Sequence, residues 1–263
     1  MDDPLGTPPL VRSTLDGTAI LTLNRPRQYN ALSGELLAAL HAELDVLAGD
    51  TTVRVVMITG SGNAFCAGHD LKEMRAMATP EQVQTLFAAC SSMMQKLIAL
   101  PQPVIAVVNG LATAAGCQLV AQCDLAVAGE DARFAASGVN LGLFCSTPAV
   151  SISRNLGRKR AAEMLFTGEF IDAATALEWG LVNRVAPPKQ LMETAHELAN
   201  NLKAKPREAL ALGKALFYRQ LEAPIARAYE DASSTISANM DMDIAREGAD
   251  AFIAKRAPRW VKD

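Results

Sequence analysis

Three short apolar runs, VRVVMITG (53–60), PVIAVVNG (103–110) and DLAVAG (124–129), constrain this chain more than any other feature. Each is dominated by Val, Ile and other apolar residues and lacks polar alternation, the pattern of a strand buried on both faces. Such strands sit in parallel sheets, whose neighbours are joined by long crossovers, usually helices. The chain supplies them. SGELLAALHAELDVLAG (33–49) reads as an amphipathic helix with Ser33 as N-cap and Gly49 after its last turn. Residues 80–100 return to helical spacing until Pro101 and Pro103 end it. An alternating strand, TAILTLNRP (18–26), comes first and stops at Pro26, and SGNAFCAGHD (61–70) reads as a loop.

From about residue 148 onward the spacing is helical throughout. RKRAAEMLFTG, DAATALEWG, PKQLMETAHELANNLKA, PREALALGKALFYRQL and MDIAREGADAFIAKR are successive helices punctuated by Gly and Pro. No low-complexity stretch or flexible linker separates the halves. The expectation is one α/β domain, with a mainly parallel sheet and a helical C-terminal extension that serves as cap or assembly element.

Composition narrows the function. The chain has 263 residues, 50% hydrophobic and 20% charged, with a net charge of −3. That balance, with no basic cluster among aromatics, argues against a nucleic-acid partner. No run approaches 18 consecutive apolar residues, so no membrane span is expected. The start, MDDPLGTPPL, has the layout of neither a signal peptide nor a transit peptide, which makes a cytoplasmic location the expectation. Cysteines 66, 90, 117, 123 and 145 form no CxxC pair and have no nearby histidine pair, so they read as reduced thiols, and no metal site is expected.

Chemistry concentrates at two strand-to-helix junctions, FCAGHDLKEM (65–74) and NGLATAAGCQL (109–119). The first N–H groups of a helix have no partner within it and carry the positive end of its dipole. Small residues let a ligand approach that backbone. Two such ends brought together would polarise a carbonyl and hold an oxyanion. Packing offers the other reading, since small residues also let a helix lie close to a sheet.

NRPRQYNAL, AFCAGHDLKEM and PVIAVVNGLATAAGCQLVAQCDLAVA resemble the crotonase (enoyl-CoA hydratase/isomerase) superfamily, and LFTGEFIDAATALEWGLVNRV and AFIAKR match in the same order. Within it, NGLATAAGCQLVAQCD with GVNLGLFCSTP is similar to the enoyl-CoA hydratase domain-containing protein 3 group. The resemblance implies a ClpP-like spiral of ββα units, residues 1–200, with a C-terminal helical trimerisation region, 201–263, in the same domain. It implies a homotrimer or homohexamer, an acyl-CoA thioester as ligand and no cofactor. By position the oxyanion donors are the backbone N–H groups of His69 and Ala115. Ala67 and the segment His69, Asp70, Leu71 and Lys72 line the CoA site. Arg25, and Phe252 and Lys255 from a neighbouring subunit, hold the nucleotide end or are ordinary surface and core residues.

The departures weigh as much as the matches. Two glutamates handle water and the α-proton in a hydratase of this superfamily, and their positions here are Gln118 and Gly138. Gln118 hydrogen-bonds but takes no proton at neutral pH, and Gly138 has no side chain. Cys145 falls where dihydroxynaphthoyl-CoA synthases carry a working aspartate. It acts as an acid–base group if a positive field lowers its pKa, and is otherwise an inert buried thiol. Asn140 and Ser146 either bond a polar acyl group or cap their loop. The imidazole of His69 is a further titratable group at the site's edge, and Asp70 is placed to cap a helix. These residues imply oxyanion chemistry on a CoA thioester without two-glutamate hydration, as a lyase or isomerase, or an inactive acyl-CoA binder or regulatory protein of fatty-acid metabolism.

Overall fold

The computed structural model describes residues 7–260. The outer ends of the two expected spans, residues 1–6 and 261–263, lie outside the described residues, as does most of the acidic, proline-rich start. The chain runs β1 (Leu10–Leu15), β2 (Thr18–Leu23), α1 (Gly34–Gly49), β3 (Val55–Gly60), β4 (Ala64–Cys66), α2 (Leu71–Ala76) and α3 (Pro80–Ala99). It continues β5 (Val104–Val108), β6 (Leu111–Thr113), α4 (Ala115–Gln122), β7 (Leu125–Gly129), β8 (Arg133–Ala135), α5 (Ser146–Asn155) and α6 (Arg158–Thr167). The remainder is β9 (Ile171–Asp172), α7 (Ala173–Trp179), β10 (Arg184–Ala186), α8 (Leu191–Lys203), α9 (Arg207–Leu221), α10 (Ile225–Met240) and α11 (Asp243–Ile253).

The strands form two sheets, ordered β1-β2-β3-β5-β7-β10 and β4-β6-β8-β9. The pairs β3–β4, β5–β6 and β7–β8 each send their first strand into the larger sheet and their second into the smaller one. Helices follow each pair, so the chain advances as a spiral of ββα turns. Within both sheets the successive turns are parallel, as in Ile58 opposite Ala106 and Ala112 opposite Phe134. The expected parallel sheet is there, and so is a second sheet that the loop reading of 61–70 left out. Strands of three residues, AFC, LAT and RFA, are too short to show a period.

The apolar runs are buried on both faces for a visible reason. Val56, Ile58, Val104 and Ala106 face the main core under α1, α3 and α4. Val55, Met57, Ile105, Val107 and Val127 face the other way, against Leu191, Ala195 and Ala199 of α8. Helix α1 buries Leu36, Leu37, Leu40, Leu44 and Leu47, each contributing roughly 1.5–3 kcal/mol. Ser33 caps it by accepting from the Leu36 N–H at 3.2 Å. The helix runs one residue further than expected, with Gly49 its last residue and Asp50 its C-cap.

The C-terminal helices divide in two. Helix α9 is tied to the core by Lys214, whose Nζ donates to the Leu97 carbonyl (2.8 Å), the Gln102 carbonyl (3.0 Å) and Asp124 Oδ2 (2.7 Å). Tyr218 donates to the other Asp124 oxygen at 2.7 Å. Helices α10 and α11 bury only Ala228 and Ala251, leaving Ile225, Tyr229, Ile236, Met240, Phe252 and Ile253 exposed. Among the described residues no helix is long and apolar enough to cross a membrane.

Candidate active site

The two junctions meet. Leu32 donates to the Gly68 carbonyl (2.8 Å) and accepts from the Asp70 N–H (3.3 Å), forming a parallel bridge to His69. In such a bridge the middle residue's own N–H points to the opposite side, so that of His69 is turned away from Leu32. At the second junction, Gln118 is the first donor of the α4 ladder, to the Ala114 carbonyl at 3.0 Å, which leaves the Ala115 N–H ahead of it. Thr113 Oγ1 donates to the Ala67 carbonyl at 2.9 Å and holds one junction to the other.

Gly68 is required at this contact. Its φ is +92°, and a Cβ there would lie 3.0 Å from the Ala114 Cβ and 3.3 Å from the Ala115 nitrogen. Ala114 is itself strained, at φ 48° and ψ −119°, a conformation suited to glycine. This strained residue immediately precedes Ala115, the first residue of α4.

A cavity of about 400 Å³ has His69, Ala67, Ala114 and Ala115 in its wall. Leu71 and Met74 of α2, Val83 and Phe87 of α3, and Leu141, Leu143 and Phe144 make the wall largely apolar. Cys145 and Ser146 complete it beside Gly138. His69 and Ala115 both line this cavity, and neither backbone N–H is taken up in a backbone hydrogen bond.

The other expected residues fall into place unequally. Asp70 caps α2, its Oδ1 accepting from the N–H groups of Lys72 (3.1 Å) and Glu73 (3.4 Å). Burial pushes its carboxyl up, but the Arg25 hydrogen bond and these two N–H groups outweigh that and hold it below the usual range. Arg25 is committed: it bonds Asp70 Oδ2 at 3.0 Å and the Ala31 carbonyl at 2.6 Å. Lys72 is exposed and outside the cavity wall, as is Asn140, which donates to the Gly168 carbonyl at 3.1 Å. Ser146 lines the wall and donates to the Phe144 carbonyl at 3.3 Å. Phe252 and Lys255, at the end of α11, are exposed and also outside the wall.

Gln118 and Cys145 lack the surroundings that acid–base work would need. Gln118 does not line the cavity: α4 is buried along its length, and the amide is packed inside with its Oε1 lacking a donor. Cys145 faces no positive field that would lower its pKa. Burial pushes the thiol up, offset only in part by the Gly138 N–H, which donates to Sγ at 3.3 Å. The same contact explains Gly138, where a Cβ would lie 2.7 Å from the Leu143 carbonyl and 2.8 Å from that sulfur. No carboxylate fits at position 138 unless this loop moves.

Val83 and Phe87 were not anticipated. Leu86, Cys90, Met93, Met94 and Leu97 form the core stripe of α3, so an i, i+4 apolar pair beside it marks a second covered face.

Comparison with known proteins identifies the family. The enoyl-CoA hydratase/isomerase family model matches residues 14–263. The chain belongs to that family. It is 45% identical to enoyl-CoA hydratase domain-containing protein 3, mitochondrial, of Rattus norvegicus, over 93% of this chain and 82% of the relative. The structure of the human protein of that name superposes with a TM-score of 0.90 at 42% identity, covering 96% of this chain and all (100%) of the other. That of enoyl-CoA hydratase from Mycobacterium smegmatis gives 0.95 at 55% identity, covering 97% and 99%. The crotonase fold is therefore established. The vertebrate relatives are named mitochondrial, which overturns the expected cytoplasmic location.

Proposed function

We propose that this member of the family binds an acyl-CoA thioester with its acyl chain in the apolar cavity and its carbonyl oxygen on the N–H groups of His69 and Ala115. The reading rests on one observation: both N–H groups lie outside backbone pairing where the two junctions touch. Polarising that carbonyl stabilises an enolate or tetrahedral oxyanion without a cofactor. Isomerisation, thioester hydrolysis and decarboxylation all use such a state. Two-glutamate hydration does not fit, because Gln118 is an amide packed away from the cavity and Gly138 has no room for a side chain.

The closed-in Gly138 and the neutral Cys145 thiol also support a second reading, an acyl-CoA binder without turnover. Short and medium 2-enoyl-CoA and 3-enoyl-CoA thioesters separate the two. Turnover of any member supports the enzyme, and tight binding of the panel with no turnover supports the binder. Failure of every thioester to bind contradicts both.

Assembly as a trimer or hexamer fits the exposed apolar residues of α10 and α11, with residues 201–263 as the association region. In that arrangement Phe252 and Lys255 would serve a neighbour's nucleotide site. Sedimentation of the purified chain checks this, a monomer being the contrary result.

A further inference from the structure

The two N–H groups of the oxyanion reading sit at matching places in their segments. His69 lies two residues past Ala67, and Ala115 two residues past Thr113. Ala67, His69, Ala114 and Ala115 line the cavity, whereas Thr113 is outside its wall. Thr113 is the last residue of β6, with only 7% of its surface exposed. Its branched side chain suits a strand, but a hydroxyl in so closed a place needs a partner.

That partner lies across the junction. The pairing of β4 with β6 ends with Cys66 opposite Ala112. Beyond that pair each segment is held on its far side. Ala67 donates to the Tyr29 carbonyl at 3.0 Å, and the Gly68 carbonyl accepts from Leu32. Ala114 donates to the Ala135 carbonyl of β8 at 2.9 Å. Among the described residues no backbone N–H reaches the Ala67 carbonyl, and Thr113 Oγ1 donates to it at 2.9 Å. Gly68 leaves room for this approach, since a Cβ there would lie 3.1 Å from the Thr113 carbonyl oxygen. An apolar residue at 113 would leave the Ala67 carbonyl without a donor and the facing segments joined by contact alone.

We infer that Thr113 is a positioning residue, whose hydroxyl fixes the separation of the His69 and Ala115 N–H groups so that both reach one carbonyl oxygen. The inference rests on the oxyanion reading above, which assigns those two groups to the thioester. Two donors serve one oxygen only if both stand within about 2.7–3.1 Å of it, so a small slip between the segments loses one of them. A bond joining the segments just ahead of both donors controls that spacing, and the bonds on their far sides do not. Thr113 itself touches no ligand and moves no proton. A hydroxyl that merely closed the end of the smaller sheet would instead change stability and leave the hold on the carbonyl as it was.

Titration calorimetry with butanoyl-CoA and S-butyl-CoA, the thioether with a methylene in place of the carbonyl, separates these roles. Contacts to CoA and to the hydrocarbon are common to both ligands and cancel in the ratio of their affinities. The unmodified chain is expected to bind the thioester about fivefold or more tighter, the factor for one well-formed hydrogen bond. In Thr113→Val, which keeps the branched shape, the ratio falls to about twofold or less with S-butyl-CoA affinity unchanged, and Thr113→Ser restores it. A ratio in Thr113→Val equal to that of the unmodified chain would overturn the inference and leave the oxyanion reading standing. Equal affinities in the unmodified chain, or no binding of either ligand, would overturn the oxyanion reading as well. Should Thr113→Val not fold, Thr113→Ala takes its place. A chain that folds with Ser but with neither Val nor Ala would assign the hydroxyl to the fold and overturn the inference.

Discussion

Lys214 on α9 and His69 at the cavity both have basic nitrogens withdrawn from water, and the chain treats them in opposite ways. Every hydrogen of the Lys214 ammonium has an acceptor, in two carbonyls and Asp124, and Tyr218 bonds the far oxygen of that carboxylate. The His69 imidazole makes no well-aligned hydrogen bond, with only the Leu32 carbonyl near it. The residue between its junctions, Ala114, is strained, whereas α9 runs regularly through its cluster. A buried polar group whose bonds are complete inside the chain holds the fold. One left incomplete carries a cost that the rest of the fold must offset.

Breaking the complete cluster should have the largest effect. Lys214→Met removes one charge of a buried pair and leaves Asp124 uncompensated, so unfolding in urea should show a loss of about 3–5 kcal/mol. A loss below about 1 kcal/mol would mean that the pair contributes nothing to holding α9.

Gly68→Ala attacks the other region. Its Cβ would press on Ala114 from a backbone at φ +92°, costing about 2–3 kcal/mol by the same measurement. The variant should also bind butanoyl-CoA more weakly, because the two N–H groups can no longer approach. Unchanged thioester affinity in a destabilised variant would separate the junction from the ligand.

Alkaline pH weakens both regions together. Burial pushes the thiols of Cys66 and Cys117 from 9.0 up to about 12, and the Tyr218 hydroxyl is pushed up as well. The unfolded chain then releases these protons first and binds fewer than the native one. Stability should therefore be level with respect to these thiols below pH 9 and fall between pH 9 and 12, read as the melting temperature across that range. A flat profile contradicts the burial of these groups. The smallest expected change is a gain. Ala114→Gly relieves the strained φ and should stabilise the chain by about 1 kcal/mol.

The legible parts of the chain were those with a period. Helix α1 and its Ser33 cap, helix α3, and the buried runs of β3, β5 and β7 follow from spacing and composition alone. The smaller sheet does not, because strands of three residues carry no alternation and are defined by their partners. Helix α10, whose buried residue is Ala228, has no core stripe to announce it. At the site, the small residues pointed to the junctions, and the bridge to Leu32 turns the His69 N–H to the side away from Leu32. For Arg25 the sequence left a nucleotide contact and an ordinary surface charge both open, and the structure adds its bonds to Asp70 and Ala31. Gln118 was misjudged because a motif position does not say which way a buried side chain turns.

The most direct test is a crystal structure of the chain with butanoyl-CoA. The account predicts the thioester oxygen within about 2.7–3.1 Å of both the His69 and Ala115 nitrogens, with the acyl chain against Phe87 and Val83. An acyl chain in that cavity whose carbonyl oxygen touches neither nitrogen would contradict it.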